Sequence, residues 1–339
     1  MKHLIIGGAG FIGTNLASSL LSKKEEVVII DSLARSGSQK NLEYLLQNFP
    51  SLEFIKADIT VDQEILNKTI SSVDRIYHLA AQVAVTTSVQ DPRNDFKINA
   101  LGTLNVLEAM RLFGKKDISL IYSSTNKVYG DLAEHEIIEN KNRYDFKNIE
   151  GISESQNLDF HSPYGCSKGC ADQYVRDYSR IYGLNTVVFR QSCIYGPHQF
   201  GVEDQGWVAW FIIALLTGKN LNIYGDGKQV RDLLFVTDLV NAYTKALDNI
   251  DKTKGEIFNI GGGSNFSISV YYEFKPILEK LLGKSISVEF SPWRPGDQKI
   301  FISDIKKADK IFNWSPIVSP TEGISTLFKW VSLNKKLFL

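Results

Sequence analysis

The sequence predicts a doubly wound α/β fold, in which helices cover both faces of a parallel sheet, followed by a smaller C-terminal α/β lobe. Two observations support this prediction. Short β-rich runs alternate with helical patterns through the first 190 residues, which is typical of βαβ units joined by right-handed crossovers. A glycine-rich turn also separates the first strand from the first helix, as in dinucleotide-binding Rossmann domains.

The alternation of strands and helices can be followed along the N-terminal part of the chain. Strand patterns lie at residues 3–6, 27–30, 53–56, 75–79, 118–122 and 186–189, and helix patterns begin at residue 11 and cover 41–47, 63–70, 95–113 and 164–182. Such short, apolar strands fit a parallel sheet that is buried on both faces. Residues 133–156 lack clear periodicity, so we expect a surface insertion there.

The pattern changes after Arg190, where glycine and proline interrupt it and shorter elements follow. A chain of 339 residues also exceeds the ~250–300 residues at which single cores stop growing. We therefore expect two lobes. Residues 1–190 form the Rossmann domain, with return segments near 230–262, and residues 191–229 and 263–339 form the second lobe.

The composition excludes several classes of partner. Lysine plus arginine equals aspartate plus glutamate at 38 each, so no basic field attracts nucleic acid or an anionic membrane. The longest apolar run of interest, 208–216, is shorter than the ~20 residues of a membrane span, and no signal peptide is visible. Three cysteines without a CxxC pair indicate a reducing compartment. We expect a soluble, cytoplasmic protein.

The glycine turn predicts a cofactor site. Gly7, Gly10 and Gly13 stand between a strand and a helix, where main-chain N–H groups can approach a pyrophosphate. Asp31 ends the next strand, and a carboxylate there accepts both ribose hydroxyls and repels a 2′-phosphate, which favours NAD over NADP. Arg35 could accommodate that phosphate, but we interpret it as a solvated loop charge.

A second motif predicts the catalytic group. Tyr164 and Lys168 are one helical turn apart, and Thr125 lies at the C-terminal end of a strand, where ligands of open α/β sheets gather. The ammonium and the nicotinamide charge favour the phenolate, so we expect Tyr164 to exchange a proton with a substrate hydroxyl. Lys168 is also expected to hold the nicotinamide ribose.

Together these residues resemble the extended short-chain dehydrogenase/reductase family, the group of nucleotide-sugar epimerases and dehydratases. The resemblance also covers residues 58–59, 78–81, 99, 123–130, 190–197 and 231–232. It implies that Asp58 and Ile59 flank the adenine and that residues 79–81 line the cofactor. The expected cofactor contacts are Gly7, Gly10, Phe11, Ile12, Gly13, Asp31, Ser32, Asp58, Ile59, Leu79, Ala80, Ala81, Asn99, Ser123, Tyr164 and Lys168.

The same resemblance bears on the reaction. Dehydratases of the family usually carry Asp-Glu after the catalytic threonine, whereas this chain has Asn126 and Lys127, which disfavours dehydration. Many 4-epimerases have an asparagine where Cys193 stands. Residues 123–132, 158–169 and 204–208 resemble the CDP-paratose (CDP-tyvelose) 2-epimerases, which implies NAD-dependent inversion at C2 of a CDP-sugar and O-antigen or lipopolysaccharide biosynthesis. A 4-epimerase, a 4,6-dehydratase and a non-catalytic NAD-binding protein remain the alternatives.

The remaining expectations concern substrate, metal and assembly. The resemblance points to Arg231 and Arg294 for the diphosphate, because the guanidinium fork suits phosphate oxygens. The expected substrate contacts are Thr125, Asn126, Ser192, Gln205, Arg231 and Arg294. Lys127 and His198 are left open between pocket and loop roles, and no histidine spacing predicts a metal. Relatives commonly pair through the helices near Asp95 and Tyr164, so a homodimer or homotetramer is expected.

Overall fold

A seven-stranded parallel sheet forms the centre of the molecule, in a computed structural model that describes residues 1–294 and 297–339. The strands are β1 (Lys2–Ile6), β2 (Glu26–Asp31), β3 (Glu53–Lys56), β4 (Arg75–His78), β5 (Ser119–Thr125), β6 (Ile137–Glu139), β7 (Tyr144–Phe146), β8 (Asn185–Gln191), β9 (Cys193–Tyr195), β10 (Asn222–Tyr224), β11 (Val230–Phe235), β12 (Ile257–Ile260), β13 (Ser267–Ser269), β14 (Glu289–Ser291) and β15 (Ile300–Phe301). The order of the large sheet is β3-β2-β1-β4-β5-β8-β12, which confirms the doubly wound α/β fold.

Helices connect the strands. They are α1 (Phe11–Ser22), α2 (Ser38–Asn48), α3 (Gln63–Ile70), α4 (Val85–Gln90), α5 (Pro92–Phe96), α6 (Gly102–Phe113), α7 (Pro163–Tyr182), α8 (Trp207–Thr217), α9 (Val236–Asp248), α10 (Ile250–Thr253), α11 (Phe274–Leu282), α12 (Lys306–Phe312) and α13 (Pro320–Leu333). Short 3₁₀ segments lie at Asn126–Tyr129, Ser264–Phe266 and Lys335–Phe338. Within the described ranges, no helix has both the length and the apolar character needed to cross a bilayer.

Each face of the large sheet is buried in its own core. Successive side chains of β1 point to opposite faces, so Ile5 packs with α1 and α9 while Leu4 and Ile6 pack with α3, α6 and α7. The last four residues of β1 and the four central residues of β2 are buried. Burial on both faces explains why these strands are continuous apolar runs.

The C-terminal part builds a second, smaller assembly. Strand β11 pairs with β9, β13 and β15, and β10 pairs with β14. Helices α8, α11 and α13 supply most of the apolar core beside these strands. This part lies after β8 in the chain, and only β12 returns from it to the large sheet.

Three local features differ from the sequence expectations. The helix expected over residues 95–113 is divided into α5, a π-helical turn at Lys97–Leu101 and α6. The expected insertion contains the antiparallel hairpin β6–β7. In the expected return segment, Val230–Phe235 joins the small sheet, while α9, α10 and β12 pack on the large one.

Candidate active site

The glycine turn occupies the point where the strand order of the sheet reverses, between β1 and β4, which is where open α/β sheets bind ligands. Gly7 has a φ of 83°, and a Cβ there would lie 2.6 Å from the main-chain nitrogen of Ala80. A Cβ on Gly13 would lie 2.5 Å from the carbonyl oxygen of Gly7. These approaches leave no room for side chains, so glycine is required for α1 to pack against both strands.

The start of α1 is open towards this crevice. The N–H groups of Phe11, Ile12 and Gly13 belong to the first helical turn and have no acceptor within the helix. Gly10 provides no side-chain cap, and the only described atom within 4 Å of a Cβ built there is the Gly7 oxygen, at 3.2 Å. The residues present therefore fit a dinucleotide whose pyrophosphate accepts from these N–H groups.

Asp31 ends β2 beside the turn. Its Oδ2 accepts from the N–H of Ala9 at 3.0 Å and its Oδ1 from the N–H of Leu33 at 2.8 Å. Burial raises the pKa of Asp31, and the two main-chain hydrogen bonds oppose that shift. The hydrogen bonds fix the carboxylate, and each oxygen retains a lone pair for a ribose hydroxyl.

Arg35 is exposed on the loop after β2, as the sequence interpretation expected, and it also has a hydrogen-bond partner on another loop. Its Nη2 donates to Oε1 of Gln205 at 2.7 Å, so the side chain joins the loop after β2 to the loop before α8. Its charge also acts on Asp31 and Tyr164. Arg35 therefore faces the crevice, and Gln205, predicted as a substrate contact, is its hydrogen-bond acceptor.

The other expected cofactor residues surround the same crevice. Ser32 is exposed after β2, Ile59 packs against Gly102, and the loop at residues 79–81 follows β4 beside Gly7. Asp58 accepts from the N–H of Thr60 at 2.8 Å, which shapes the turn after β3. The structure brings these segments to one edge of the sheet. Their individual contacts with NAD remain predictions.

The predicted catalytic trio, Thr125, Tyr164 and Lys168, belongs to the end of β5 and the start of α7. Thr125 is the last residue of β5, and its hydroxyl is close enough to the Tyr164 side chain to influence the pKa of the phenol. Tyr164 and Lys168 lie in the first two turns of α7, which begins at Pro163 and is capped by Ser162, whose Oγ accepts from the N–H of Gly165 at 3.0 Å. The structure thus brings Thr125 and Tyr164 close together, and the joint catalytic role of the three residues remains a prediction.

The Tyr164 phenol is buried in the cofactor-free site. Burial raises its pKa to about 12; the Thr125 hydroxyl lowers it, the carboxylate of Asp95 raises it and Arg35 lowers it. The Nζ of Lys168 donates to the carbonyl of Ser123 at 2.5 Å. The phenolate expected under the positive charge of the nicotinamide therefore remains a prediction.

The side chain of Lys168 is buried against β5. Its Nζ lies 4.2 Å from the centre of the Tyr122 ring. Burial lowers the pKa of Lys168 to about 7, against the opposing influence of Asp172 and Asp95. An ammonium that loses its hydration in this way destabilises the folded state. We therefore expect Lys168 to serve function rather than stability.

We expect Lys168→Met to raise the stability of the cofactor-free protein at neutral pH while lowering turnover. Between the folded pKa of about 7 and the unfolded value of ~10.4, the unfolded lysine binds a proton that the folded one lacks. Stability therefore falls with decreasing pH by up to roughly 1.4 kcal/mol per unit, and the variant escapes this loss. Thermal denaturation at several pH values measures the difference.

The matched control for this experiment is Lys310→Met, because Lys310 is exposed on α12. Its difference from the parent protein should be small and independent of pH. The stability gain of Lys168→Met should instead grow from pH 10 towards pH 7. A gain that does not change with pH would contradict the assignment of the destabilisation to a buried ammonium.

A buried network beside the trio was not found by sequence reasoning. Asp95 accepts a short hydrogen bond from Ser167 Oγ, and Asn99 Nδ2 donates to Asp95 at 3.2 Å and to Ser167 at 3.0 Å. Asn99 also receives the N–H of Gln82 at 2.9 Å. Asn99 lies in the π-helical turn. This residue, predicted to contact the cofactor, connects the loop after β4 to α7 by hydrogen bonds.

Two cationic side chains, those of Arg231 and Lys127, lie close together in the region where the sequence predicted substrate contacts. The guanidinium of Arg231 donates to Oδ1 of Asp297 at 2.8 Å and to the carbonyl of Gln298 at 2.7 Å. Lys127, which was left open between two roles, donates from Nζ to Oε1 of Gln298 at 3.2 Å. The structure thus places Lys127 beside Arg231 rather than on a solvated loop.

Arg294 fixes the loop before α8. Its guanidinium stacks 3.6 Å from the centre of the Tyr224 ring, and its nitrogens contact Glu203 O at 3.2 Å and Asp204 Oδ1 at 3.1 Å. Thr86 donates to the same Asp204 at 3.2 Å. Arg294 therefore lies near the crevice as expected, while the Pro295 and Gly296 that follow it are outside the described residues.

Two further predicted substrate contacts have protein partners. Ser192 donates to the buried carboxylate of Asp232, whose other oxygen accepts from the N–H groups of Gly263 and Ser303, each at 3.1 Å. Asn126 follows Thr125 in the 3₁₀ turn, 3.4 Å from its hydroxyl. Ser192 thus joins three segments of the fold, and its role towards a substrate remains a prediction.

The histidines take structural positions in the described chain. His198 lies against the rings of Tyr44 and Trp330, with ring centres 4.3 and 5.1 Å away, and burial lowers its pKa to about 4. His78 bonds Thr103 at 2.9 Å. These contacts favour the loop and packing role for His198, which the sequence had left open.

Comparison of the sequence with known proteins finds nucleotide-sugar epimerases among its relatives. The model of the NAD dependent epimerase/dehydratase family matches residues 3–261. The chain is 45% identical over 339 residues to the CDP-paratose 2-epimerase of Salmonella typhi, covering 98% of this chain and 99% of that protein. It is 33% identical to a putative UDP-glucose 4-epimerase of Methanocaldococcus jannaschii, covering 98% and 99%.

Solved structures lead to the same group. A UDP-glucose 4-epimerase of Thermotoga maritima with UDP-glucose superposes with a TM-score of 0.85 at 32% identity, covering 99% of this chain and 100% of that one. A UDP-glucuronic acid 4-epimerase of Bacillus cereus, solved with UDP-glucuronic acid and NAD, gives 0.85 at 29% identity, covering 98% and 100%. The crevice described above thus has counterparts that bind nucleotide sugars.

Proposed function

This chain belongs to the NAD-dependent epimerase/dehydratase family, and from that premise we propose that it inverts C2 of a CDP-linked deoxyhexose, converting CDP-paratose to CDP-tyvelose. It is an NAD-dependent nucleotide-sugar epimerase, an isomerase, as the sequence predicted. The finer assignment is carried by one observation, the similarity along the whole chain to the Salmonella typhi CDP-paratose 2-epimerase. The absence of Asp-Glu after Thr125 also supports it.

The residues at the end of β5 divide the work on the sugar. Tyr164 takes the proton of the reacting hydroxyl, and Thr125, whose hydroxyl lies close to Tyr164, orients the reacting oxygen. Bound NAD supplies the oxidation and the later reduction of the same carbon, so no external reductant is consumed. After the 2-keto sugar has turned over in the pocket, Tyr164 returns the proton. This division of roles is part of the proposal.

The position of Tyr164 favours the change in its charge that this chemistry needs. It lies in the first turn of the 20-residue helix α7, whose N-terminal end carries a partial positive charge. Its own N–H donates to Ser88 Oγ at 3.1 Å, which fixes the start of the helix. A phenol with a pKa near 12 in the cofactor-free site needs the added positive charge of the nicotinamide to act as a base near neutral pH.

The decisive experiment is the stereochemistry of the product from a panel of nucleotide sugars. We expect CDP-paratose, or CDP-glucose as a surrogate, to give the C2 epimer without net NADH, as read by NMR. UDP-, GDP- and dTDP-sugars should react more slowly. Inversion at C4 of a UDP-sugar would instead establish the second candidate, which the UDP-sugar 4-epimerases among the relatives favour. Loss of water would establish a dehydratase.

We further propose a homodimer or homotetramer, acting in the cytoplasm in O-antigen or lipopolysaccharide biosynthesis. Helices α6 and α7 carry large apolar side chains that are exposed in the single chain, namely Leu112, Phe113, Tyr174, Ile181 and Tyr182. Because α6 and α7 pack against each other, these side chains lie on neighbouring helices, and an exposed apolar patch on a surface typically marks an interface. Light scattering of the protein in solution measures the assembly, and a monomer would contradict the proposal.

The domain boundaries remain part of the proposal. Residues 1–190 with a return near 230–262 form the NAD-binding domain, and residues 191–229 and 263–339 form the nucleotide-sugar lobe. The packing of α9 and β12 on the large sheet supports the return. Limited proteolysis with and without CDP, read by mass spectrometry, tests whether cleavage sites cluster at these boundaries.

A further inference from the structure

Lys127 lies between Thr125, the predicted catalytic threonine, and Arg231. It lies two residues after Thr125, and its own N–H donates to the Thr125 hydroxyl oxygen at 3.2 Å. The 3₁₀ turn at Asn126–Tyr129 directs its side chain away from β5 towards β11 and the segment at 297–299. A cation thus lies only two residues from the predicted catalytic threonine.

Gln298 connects that cation to Arg231. This glutamine is 1% exposed; its Oε1 accepts from Lys127 Nζ, its carbonyl accepts from Arg231, and its Nε2 donates to the carbonyl of Gly130. Both positive groups therefore hydrogen bond one buried residue, and Arg231 lies close enough to influence the pKa of Lys127. Lys127 and Arg231 thus form a pair of neighbouring cations that begins two residues after Thr125.

The structure of a nucleotide sugar indicates which group could bind beside Lys127. The pyrophosphate is attached to the sugar through C1. When C2 is the carbon held at Thr125 and Tyr164, the β-phosphate is attached to the adjacent carbon and must lie beside the catalytic threonine. When C4 is held there, the sugar ring separates the β-phosphate from Thr125. A cation next to the threonine therefore suits C2 chemistry and has no phosphate to meet in C4 chemistry.

We propose that Lys127 donates from Nζ to the β-phosphate of a sugar nucleotide bound with C2 at Thr125, and that this contact selects the C2 orientation. The inference rests on the proposed function and adds a specificity-determining residue to it. Arg231 shares the same phosphate group from the other side of Gln298. A charge-assisted hydrogen bond of this kind is stronger than one between neutral groups.

The titration of Lys127 provides a supporting signature. Burial lowers its pKa to about 8; Arg231 on β11 acts in the same direction, while Asp297 and Cys193 on β9 oppose it. A phosphate prefers the protonated amine, so affinity for a nucleoside diphosphate should fall as the pH rises above about 8. Without the amine, this alkaline loss should be absent.

The test compares CDP with CMP, which lacks the β-phosphate, by calorimetric titration of the NAD-loaded protein. We expect Lys127→Met to weaken CDP binding roughly tenfold to a hundredfold and to change CMP binding by less than about twofold. Lys127→Arg keeps the charge and should retain most of the preference for CDP. Repeating the comparison with UDP and UMP makes the readout independent of the base.

The matched control is Lys299→Met, on the same segment as Gln298 but directed to the ring of Tyr144, 5.3 Å away. It should leave both affinities unchanged. Equal weakening of CDP and CMP by Lys127→Met, or no effect on either, overturns this inference even if the parent enzyme inverts C2. If the parent enzyme yields no C2 epimer, the proposed function fails, and the selection of orientation fails with it.

Discussion

Tyr164→Phe is expected to reduce turnover about 10²- to 10⁴-fold, the usual contribution of a positioned general acid–base group, while the protein keeps its NAD. The ring remains, so packing in the first turn of α7 changes little. The lost hydroxyl is the group that lies close to Thr125, and phenylalanine has no proton to exchange. The cofactor is retained because the glycine turn and Asp31 do not depend on this hydroxyl in the structure.

Two measurements on the same preparation separate catalysis from binding. Turnover is followed by NMR of the epimeric sugar, and NAD content is determined after denaturing the purified protein. Tyr174→Phe is the control, because Tyr174 lies on the same helix and is 44% exposed. The assignment of Tyr164 as the proton-transfer group is wrong if the rate falls less than tenfold, or if NAD is lost in parallel with activity.

The sequence predicted the large sheet well because the residues that indicate each of its strands and helices lie close together in the chain. Strands β1, β2, β5 and β8 contain runs of three or four apolar residues, and α1 and α3 closely follow β1 and β3, so periodicity and turn residues suffice for these elements. Strand β3 and helix α3 begin and end where expected, at Glu53–Lys56 and Gln63–Ile70. The small strands β9, β10, β13 and β15 have two or three residues, which is too short for any period to appear.

The candidate site was partly predictable for the same reason. Thr125, Tyr164 and Lys168 were found because a strand end and an i, i+4 pair are local patterns. The Asp95–Ser167–Asn99 network joins residues up to 72 positions apart, and the contact between Arg35 and Gln205 spans 170. Such contacts depend on the packing of whole elements, and no spacing in the chain encodes them.

The charge of Tyr164 shows a further limit. An i, i+4 spacing places Tyr164 and Lys168 one turn apart on α7, but the direction of the ammonium depends on the carbonyl of Ser123 and the ring of Tyr122. Burial also outweighs the neighbouring charges. Proximity in sequence therefore predicts which groups meet, while the pKa values depend on solvation that only the folded chain defines.

Removing the buried carboxylate of Asp172 is expected to destabilise the protein by about 3–5 kcal/mol. Asp172 on α7 is fully buried and receives Arg190 of β8 in a bidentate pair, Nε to Oδ2 at 2.8 Å and Nη2 to Oδ1 at 2.9 Å. In Asp172→Ala the guanidinium, 3% exposed, stays buried without its counter-charge. Ser124, which donates to Asp172 at 2.9 Å, also loses its acceptor.

The same substitution should reduce activity in the protein that remains folded, because Ser124 precedes the catalytic Thr125 and Arg190 also donates to Tyr129 at 3.1 Å. Denaturant unfolding gives the stability, with Asp248→Ala as the control; its pair with Arg75 is 2.8 Å long but half exposed, so it contributes only ~0–1 kcal/mol. Asp172→Leu combined with Arg190→Met should recover much of the stability without restoring full activity. If the double variant were as unstable as Asp172→Ala, an uncompensated buried charge could not be the cause.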